Sequence, residues 1–304
     1  MEIKPIDGSF AREVVGVGLW NGLSEAQIGE IRAAWAECGV IVFRRQSLSE
    51  EEIVKVSAMF GVPQVVHRTD WVSPEHPEVI LVSNLKDQSN KQIGMPGSND
   101  VEWHTDQSYV ANPSTGAMLY SVEIPNDGGG STWWTNMRAG YESLPEDLKA
   151  EVAGKRAVLT YLKRLAGYNP QAAKVTEEML QKTPPVAQPI VYSHPVTGKK
   201  SLFLDPTTTI GIEGMPDDAA LALVDRLVTA CTQPHQVYKH RWQVGDVILW
   251  DNALTMHRRD EYESAQRRFL KRTTISLPEE QHIIPRGQKI DPLVELGTTG
   301  FNAT

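Results

Sequence analysis

Short stretches rich in β-branched and aromatic residues recur along most of this chain, and they constrain its fold more than any other feature. Examples are Val79 to Val82, Gly116 to Glu123, Asp246 to Trp250 and Phe269 to Leu277, each of a length typical of strands. Turn signals such as Thr197-Gly198 separate these stretches, and no regular alternation of strand and helix is present. The pattern predicts a mainly β protein with outer helices, built as an antiparallel sandwich or jelly roll.

Two helices are predicted near the front of the chain, because each begins with a capping box. In these boxes Ser24 pairs with Gln27 and Ser49 with Glu52, and a strand is expected at Val40 to Phe43 between them. Polar stretches near residues 85–100 and 162–185 lack clear periodicity, so we expect long loops there. No linker is visible, which favours one domain over residues 1–304, with the first helices at about 23–61 and the core at about 78–280.

Composition excludes several classes of protein. The net charge of −8 argues against a nucleic-acid partner, and no apolar run approaches the roughly 20 residues of a membrane helix. The N-terminus lacks the basic start and apolar stretch of a signal peptide. Cys38 and Cys231 are isolated from each other, without the spacing of a metal site. We therefore expect a cytoplasmic protein that contacts neither nucleic acid nor membrane.

Residues with metal-binding chemistry lie at two distant points of the chain. His104 and Asp106 are two residues apart in Trp103-His104-Thr105-Asp106, a spacing that puts both side chains on one face of a strand. Alone, this spacing is more typical of a polar pair at a strand end. His257 would complete a triad of two histidines and one carboxylate, which holds Fe(II) and leaves one octahedral face open. Eleven residues after His257, Arg268 offers a planar fork that suits a free carboxylate, although a surface charge is the simpler interpretation.

Together these motifs resemble the taurine dioxygenase (TauD/TfdA) family of Fe(II)- and 2-oxoglutarate-dependent oxygenases. The matching features, in chain order, are Trp103-His104-Thr105-Asp106, Gly129-Gly130-Ser131-Thr132, Val244-Gly245-Asp246 with Trp250-Asp251-Asn252, His257 and the Arg268/Arg272 pair. Their joint occurrence by chance is much rarer than that of any one motif, and the resemblance covers nearly the whole chain. It implies a double-stranded β-helix, the cupin-like jelly roll, and oxidation of a substrate C–H bond, most simply hydroxylation, with release of succinate and CO2.

The resemblance also assigns roles to individual residues. The implied iron ligands are His104, Asp106 and His257. Arg268 and the hydroxyl of Thr132 are expected to bind the distal carboxylate of 2-oxoglutarate, which would reach iron through its other end before O2 binds. Ser131 stays open as an alternative to Thr132, because this chain departs from the Gly-Gly-Asp-Thr wording of many relatives.

Arg272 is the residue that bears on the class of substrate. It lies four residues after Arg268, so on a strand it would project to the same face about 13 Å further along. In taurine dioxygenase the matching arginine binds the substrate sulfonate, and herbicide-degrading relatives use theirs for a carboxylate. The resemblance therefore implies a small anionic substrate held by Arg272, with a structural salt bridge as the alternative. His67 is near the position of a substrate-contacting histidine in taurine dioxygenase, although its spacing from Phe60 differs by one residue.

Two other classes of protein remain compatible with these residues. A zinc-type metallohydrolase could use the same three ligands, with metal-bound water as the nucleophile, but it has no need for Arg268 or Thr132. A non-enzymatic jelly-roll binding module would leave all of these residues without a catalytic role. Relatives commonly form dimers or tetramers, so a homo-oligomer is expected.

Overall fold

The computed structural model describes residues 1–65, 70–168, 177–194, 196–277 and 288–289. The strands are β1 (Glu2–Pro5), β2 (Arg12–Val15), β3 (Val40–Phe43), β4 (Val62–Pro63), β5 (Ile80–Ser83), β6 (Val101–His104), β7 (Gly116–Glu123), β8 (Thr132–Asn136), β9 (Arg156–Leu159), β10 (Val186–Pro189), β11 (Val191–Ser193), β12 (Lys200–Leu202), β13 (Thr209–Ile212), β14 (Val237–His240), β15 (Val247–Asp251), β16 (Thr255–Arg259), β17 (Phe269–Ser276) and β18 (Gln288–Lys289). The helices are α1 (Glu25–Cys38), α2 (Glu50–Ala58), α3 (Met137–Glu142), α4 (Glu146–Val152), α5 (Tyr161–Tyr168), α6 (Glu177–Lys182) and α7 (Asp217–Cys231). The chain is therefore mostly β with additional helices, as predicted.

Two sheets carry the parts of the chain that matter for function. The larger sheet has the order β1-β2-β3-β15-β7-β17-β4, with β5 also paired to β17. Its pairs are antiparallel except for β2 with β3. The smaller sheet has the antiparallel order β14-β8-β16-β6. In both sheets, strands distant in sequence become neighbours, so residues far apart in the chain can meet.

The two sheets face each other across an apolar interior. Val42, Leu119 and Ile248 of the larger sheet belong to the same buried cluster as Trp134 and Tyr238 of the smaller one. Because side chains alternate along a strand, each strand that supplies an inner residue also presents its neighbours outward. The facing sides of the two sheets thus enclose one layer of side chains, and polar residues at inner positions of the strands can project into it as well.

Helices cover the outer face of the larger sheet. Ile31 and Trp35 of α1 and Ile53 of α2 share a buried cluster with Ile41 and Phe43. Both predicted capping boxes are present, which confirms where these helices begin. The amphipathic pattern of the two helices therefore buries its apolar stripe against the sheet.

Helix α7 covers part of the smaller sheet in a separate cluster. Leu223 and Leu227 of this helix are buried with Met256, whose neighbour on β16 points to the inner face. Within the described residues, none of the helices combines the length and the apolar character needed to cross a membrane.

The stretch near residues 162–185 differs from the expectation of a long loop. It contains α5 and α6, with residues 169–176 between them outside the described residues. Helices of eight and six residues make about two turns each, too few for a helical period to stand out in sequence. Residues 85–100 form turns and bends before β6 begins.

Candidate active site

Three potential metal ligands meet at the edge of the smaller sheet. Strands β6 and β16 are antiparallel neighbours, and their register pairs His104 with His257. The Asp106 carboxylate lies 3.9 Å from Nε2 of His104 and 3.7 Å from Nε2 of His257. One ligand atom from each residue lies within 4.8 Å of the others. Because β6 ends at His104, Asp106 reaches the cluster from the turn after the strand, and the expectation that both side chains share one strand face is wrong in this detail.

The protonation of these groups suits metal binding. His104 Nδ1 lies 2.7 Å from the carbonyl of Glu102, so the N–H is at Nδ1 and the Nε2 lone pair faces the cluster. Burial lowers the pKa of both His104 and His257 and keeps them neutral. Burial alone would raise the pKa of Asp106, but the positive charge of Arg272 holds it well below its usual range. Two neutral imidazoles and one carboxylate form a donor set that fits Fe(II).

Arg272 forms an ion pair with one of these ligands. Its Nη2 donates to Oδ2 of Asp106 at 2.7 Å, and its guanidinium lies 5.4 Å from the ring centroid of Trp250. The side chain of Arg272 is 16% exposed. The guanidinium thus orients the carboxylate and keeps further N–H donors for another acceptor.

Arg268 is a buried cation without a carboxylate partner among the described residues. Only 2% of its surface is exposed, and its guanidinium donates through Nη2 to the carbonyl of Gly130 at 3.5 Å. Its Nε–H finds no acceptor in the described part of the chain. Burial, together with the nearby charge of Arg259, lowers the pKa of Arg268 to about 9. A buried charge left unpaired in this way is typical of a site that receives an anion.

Gly130 makes room for this guanidinium. The glycine has φ +68°, and a Cβ built on it would lie 2.9 Å from Nε of Arg268. Any other residue would therefore combine backbone strain with a clash. The sequence shows the glycine run, but only the fold brings it against Arg268.

The structure distinguishes Thr132 from Ser131, the two residues whose hydroxyls the sequence offers as alternatives for binding 2-oxoglutarate. Thr132 begins β8 and lies two residues from Trp134, so it shares the inner face of the sheet. Its Oγ1 accepts a hydrogen bond from Nε1 of Trp242 at 3.0 Å. Ser131 precedes the strand, and its hydroxyl lies 3.4 Å from the carbonyl of Gly128. The geometry thus favours Thr132 as the hydroxyl available to the interior.

One charged residue near the cluster was not predicted from the sequence. Arg164 of α5 donates to Asp205 at 2.5 Å and lies over the ring of Tyr109 at 5.5 Å. After burial, its charge is the next largest cause of the lowered pKa of His104. It was missed because its helix was expected to be a loop. His67 lies outside the described residues.

Two imidazoles and one carboxylate in this arrangement fit a mononuclear non-haem metal site, and the buried guanidinium of Arg268 fits a site for an anion. Residues 2–274 match the model of the "Taurine catabolism dioxygenase TauD, TfdA family", and the chain belongs to this family. The resemblance inferred from the motifs is thereby confirmed.

The chain is also similar over most of its length to individual proteins and solved structures. The chain is 31% identical to the alpha-ketoglutarate-dependent 2,4-dichlorophenoxyacetate dioxygenase of Cupriavidus pinatubonensis, over 89% of this chain and 96% of that protein. It is 28% identical to pentalenolactone F synthase of Streptomyces avermitilis, over 90% and 93%. The crystal structure of AAD-2 with Mn(II) and N-oxalylglycine superposes with a TM-score of 0.76 at 28% identity, over 91% of this chain and 98% of that chain. The chain is an Fe(II)- and 2-oxoglutarate-dependent dioxygenase.

Proposed function

We propose that this dioxygenase hydroxylates a C–H bond of a small organic anion, with His104, Asp106 and His257 as the iron ligands. Arg268, with the hydroxyl of Thr132, would bind the distal carboxylate of 2-oxoglutarate. The observation that carries this proposal is the burial of Arg268 without a carboxylate partner in the described part of the chain. A metallohydrolase has no need for such a cation, and in a passive binding module the three ligand residues would be incidental.

The side chains of the site have separate tasks. Arg268 would make charge-assisted hydrogen bonds to the cosubstrate, and Thr132, oriented by Trp242, would add one more. Arg272 would hold Asp106 in place and offer its remaining donors to the substrate. Fixing the two reactants beside one metal lowers the entropic cost of the reaction. Held by His104, Asp106 and His257, iron would supply the activation of O2, coupled to decarboxylation of 2-oxoglutarate to succinate and CO2.

Arg272 supports the choice of an anionic substrate. Of the described residues, only Asp106 forms an ion pair with it, through Nη2, so other guanidinium donors stay available. One relative is named for its action on 2,4-dichlorophenoxyacetate, an aryloxy carboxylate. A carboxylate or sulfonate near Arg272 would also compensate the positive charge that Arg268 and Arg272 bring to this interior. His67 stays a predicted substrate contact.

A succinate-release screen tests the proposed reaction. Enzyme, Fe(II), 2-oxoglutarate and ascorbate are incubated in air with sulfonates, aryloxyalkanoates, amino-acid derivatives and uncharged analogues. We expect oxygen-dependent succinate formation that rises with an anionic compound and not with its uncharged amide. Anaerobic addition of Fe(II) and 2-oxoglutarate should give a visible charge-transfer band. Absence of the band and of succinate would contradict the proposal and favour the metallohydrolase or the binding module.

A variant of Arg272 tests the substrate class. Arg272→Ala should raise the KM for the anionic substrate while leaving the Kd for 2-oxoglutarate nearly unchanged. Lys271→Ala is a matched control, because Lys271 lies one residue away and pairs with Glu50. If Arg272→Ala weakens only metal binding and leaves the KM unaltered, the residue serves Asp106 alone and the substrate proposal fails.

Several coarser expectations belong to the same proposal. We infer that the two facing sheets form a double-stranded β-helix within a single domain; the family match over residues 2–274 supports both inferences. The free thiols of Cys38 and Cys231 are compatible with the expected cytoplasmic location. Assembly as a dimer or tetramer stays a prediction.

A further inference from the structure

A buried hydrogen-bonded chain lies on β14 and β15, outside the group of residues assigned to catalysis. The hydroxyl of Tyr238 lies 2.7 Å from Nδ1 of His240, and Nε2 of His240 lies 2.9 Å from Oδ2 of Asp246. Asp246 also accepts from Arg44 at 2.6 Å. His240 and Asp246 have no exposed surface. Burying a tyrosine, a histidine and an aspartate together is costly unless the group is fully satisfied or has a function.

This chain connects to the metal site through one aromatic side chain. Trp134 lies opposite Tyr238 on one side and opposite His257 on the other, in the registers of β14 with β8 and of β8 with β16. Its ring is nearly parallel to both neighbours, with centroid distances of 6.2 Å to Tyr238 and 6.4 Å to His257. We call Tyr238, Trp134 and His257 the cross-strand row.

We propose that the cross-strand row removes an oxidising equivalent from the metal site when O2 reacts without substrate, and so protects the enzyme from oxidising its own side chains. The inference rests on the oxygenase activity, which supplies a metal-centred oxidant from O2 and 2-oxoglutarate. Tyr238 would lose one electron and its hydroxyl proton. The proton passes to Nδ1 of His240, and the electron passes through Trp134 and the ring of His257 to the oxidant, which is reduced by one electron.

Trp134 is suited to relay charge without trapping it. Its Nε1–H has no hydrogen-bond acceptor among the described residues, so an oxidised indole there has no base to take its proton. Trp250 lies closer to His257, at 5.2 Å, but the guanidinium of Arg272 lies over its ring. A cation at that position opposes the positive charge of an oxidised ring. Oxidation of Trp134 is therefore favoured over oxidation of Trp250.

Tyr238 is suited to be the end point. An oxidised phenol is strongly acidic and needs a base along its hydrogen bond. Burial lowers the pKa of His240, which keeps the imidazole neutral. The Nε2–H is directed to Asp246, so Nδ1 is the acceptor, and the carboxylate stabilises the imidazolium that forms.

The far end of the hydrogen-bonded chain reaches the surface. Arg44 lines a groove of about 300 Å³ together with Arg45 and Glu13. A one-electron reductant of the ascorbate class, which is an anion, would return an electron to Tyr238 from this side, while the proton goes back from His240. This step restores the tyrosine. A second electron passed along the same row, with two protons from solvent, would return the metal to the ferrous state and release water, which closes the balance.

Freeze-quench electron paramagnetic resonance tests the inference on the iron-loaded enzyme. The enzyme with 2-oxoglutarate is mixed with O2 without substrate or reductant. We expect a tyrosyl radical whose spectrum shows a hydrogen bond to a proton exchangeable in D2O. Tyr238→Phe should lose this signal and show several-fold more +16 Da modification of other side chains by mass spectrometry. Ascorbate should shorten the lifetime of the radical.

Two further variants keep the test decisive. Tyr192→Phe is the matched control, because Tyr192 is also buried but donates to the carbonyl of Ala253 instead of an imidazole; it should keep the radical. His240→Gln keeps the phenol and weakens the base, so the yield of radical should fall. If Tyr238→Phe lowers only the melting temperature, with radical yield and modification as in the wild type, the cross-strand row is structural and the inference is overturned. Succinate formed without any tyrosyl radical overturns this inference alone, whereas absence of succinate overturns the proposed function.

Discussion

Replacing Arg268 with methionine should stabilise the ligand-free protein while it removes cosubstrate binding. The side chain is 2% exposed, and burial lowers its pKa from 12.5 to about 9. A difference of this size corresponds to on the order of 5 kcal/mol of unfavourable free energy for the cationic form, as an upper limit. Replacing a buried ion pair by apolar residues of similar volume often stabilises a protein by about 1–4 kcal/mol, and Arg268 lacks, among the described residues, the carboxylate partner that would offset its loss of hydration. We therefore expect Arg268→Met to raise the free energy of unfolding of the metal-free protein by an amount in this range.

The same change should weaken 2-oxoglutarate binding strongly. Each hydrogen bond from a charged group contributes about 1.5–3 kcal/mol, so losing the two bonds of a bidentate guanidinium should raise the Kd at least about 100-fold, since 1.4 kcal/mol is a factor of ten. Urea denaturation of the metal-free protein measures the first effect. Calorimetric titration of the Mn(II) form with N-oxalylglycine, an analogue of 2-oxoglutarate, measures the second.

Arg267→Met provides the control for both measurements. Arg267 is the adjacent residue, its side chain is 66% exposed, and it pairs with Glu123. Surface pairs of this kind contribute about 0–1 kcal/mol, so the control should change little and bind N-oxalylglycine normally. If Arg268→Met destabilised the metal-free protein more than the control does, or kept wild-type affinity for the analogue, Arg268 would not be a buried cation that waits for the cosubstrate.

Two further predictions concern the metal ligands and the glycine beside the guanidinium. The pKa of both His104 and His257 lies below that of a free histidine. Below about pH 6.5 the unfolded chain therefore binds more protons than the folded one. The stability of the metal-free protein should fall as the pH drops through that value. For the same reason Mn(II) affinity, measured by titration, should stay nearly constant from about pH 8 to about pH 6.5; a steep loss in that range would contradict neutral buried ligands. Gly130→Ala should raise the Kd for N-oxalylglycine, because its Cβ would meet Arg268. Gly128 also has a positive φ, +76°, but no atom lies within 4 Å of a Cβ built there. Gly128→Ala should therefore cost only the backbone strain of about 1 kcal/mol. Equal Kd values for these two variants would argue against the close approach.

Local signals made parts of the fold predictable. Capping boxes at Ser24 and Ser49 depend on residues three apart, so they are visible in sequence and present in the structure. The strand at Gly116–Glu123 was predicted with its observed bounds. Helix α5 was not predicted, because about two turns do not establish a period.

The candidate site depends on strand register, which sequence alone does not provide. The pairing of His104 with His257 arises where β6 meets β16, and the resemblance to a family anticipated that meeting. The ion pair between Arg272 and Asp106 and the bond from Trp242 to Thr132 join residues more than 100 positions apart. No local pattern marks such contacts.

In the proposed function, three side chains converge on one metal while Arg268 anchors the cosubstrate. A crystal structure with Mn(II) and N-oxalylglycine tests it most directly. We predict that the metal lies within bonding distance of Nε2 of His104, Nε2 of His257 and a carboxylate oxygen of Asp106, and that the distal carboxylate of the analogue contacts Arg268 and Thr132. A metal bound elsewhere, or an analogue whose distal carboxylate points away from Arg268, would contradict the account.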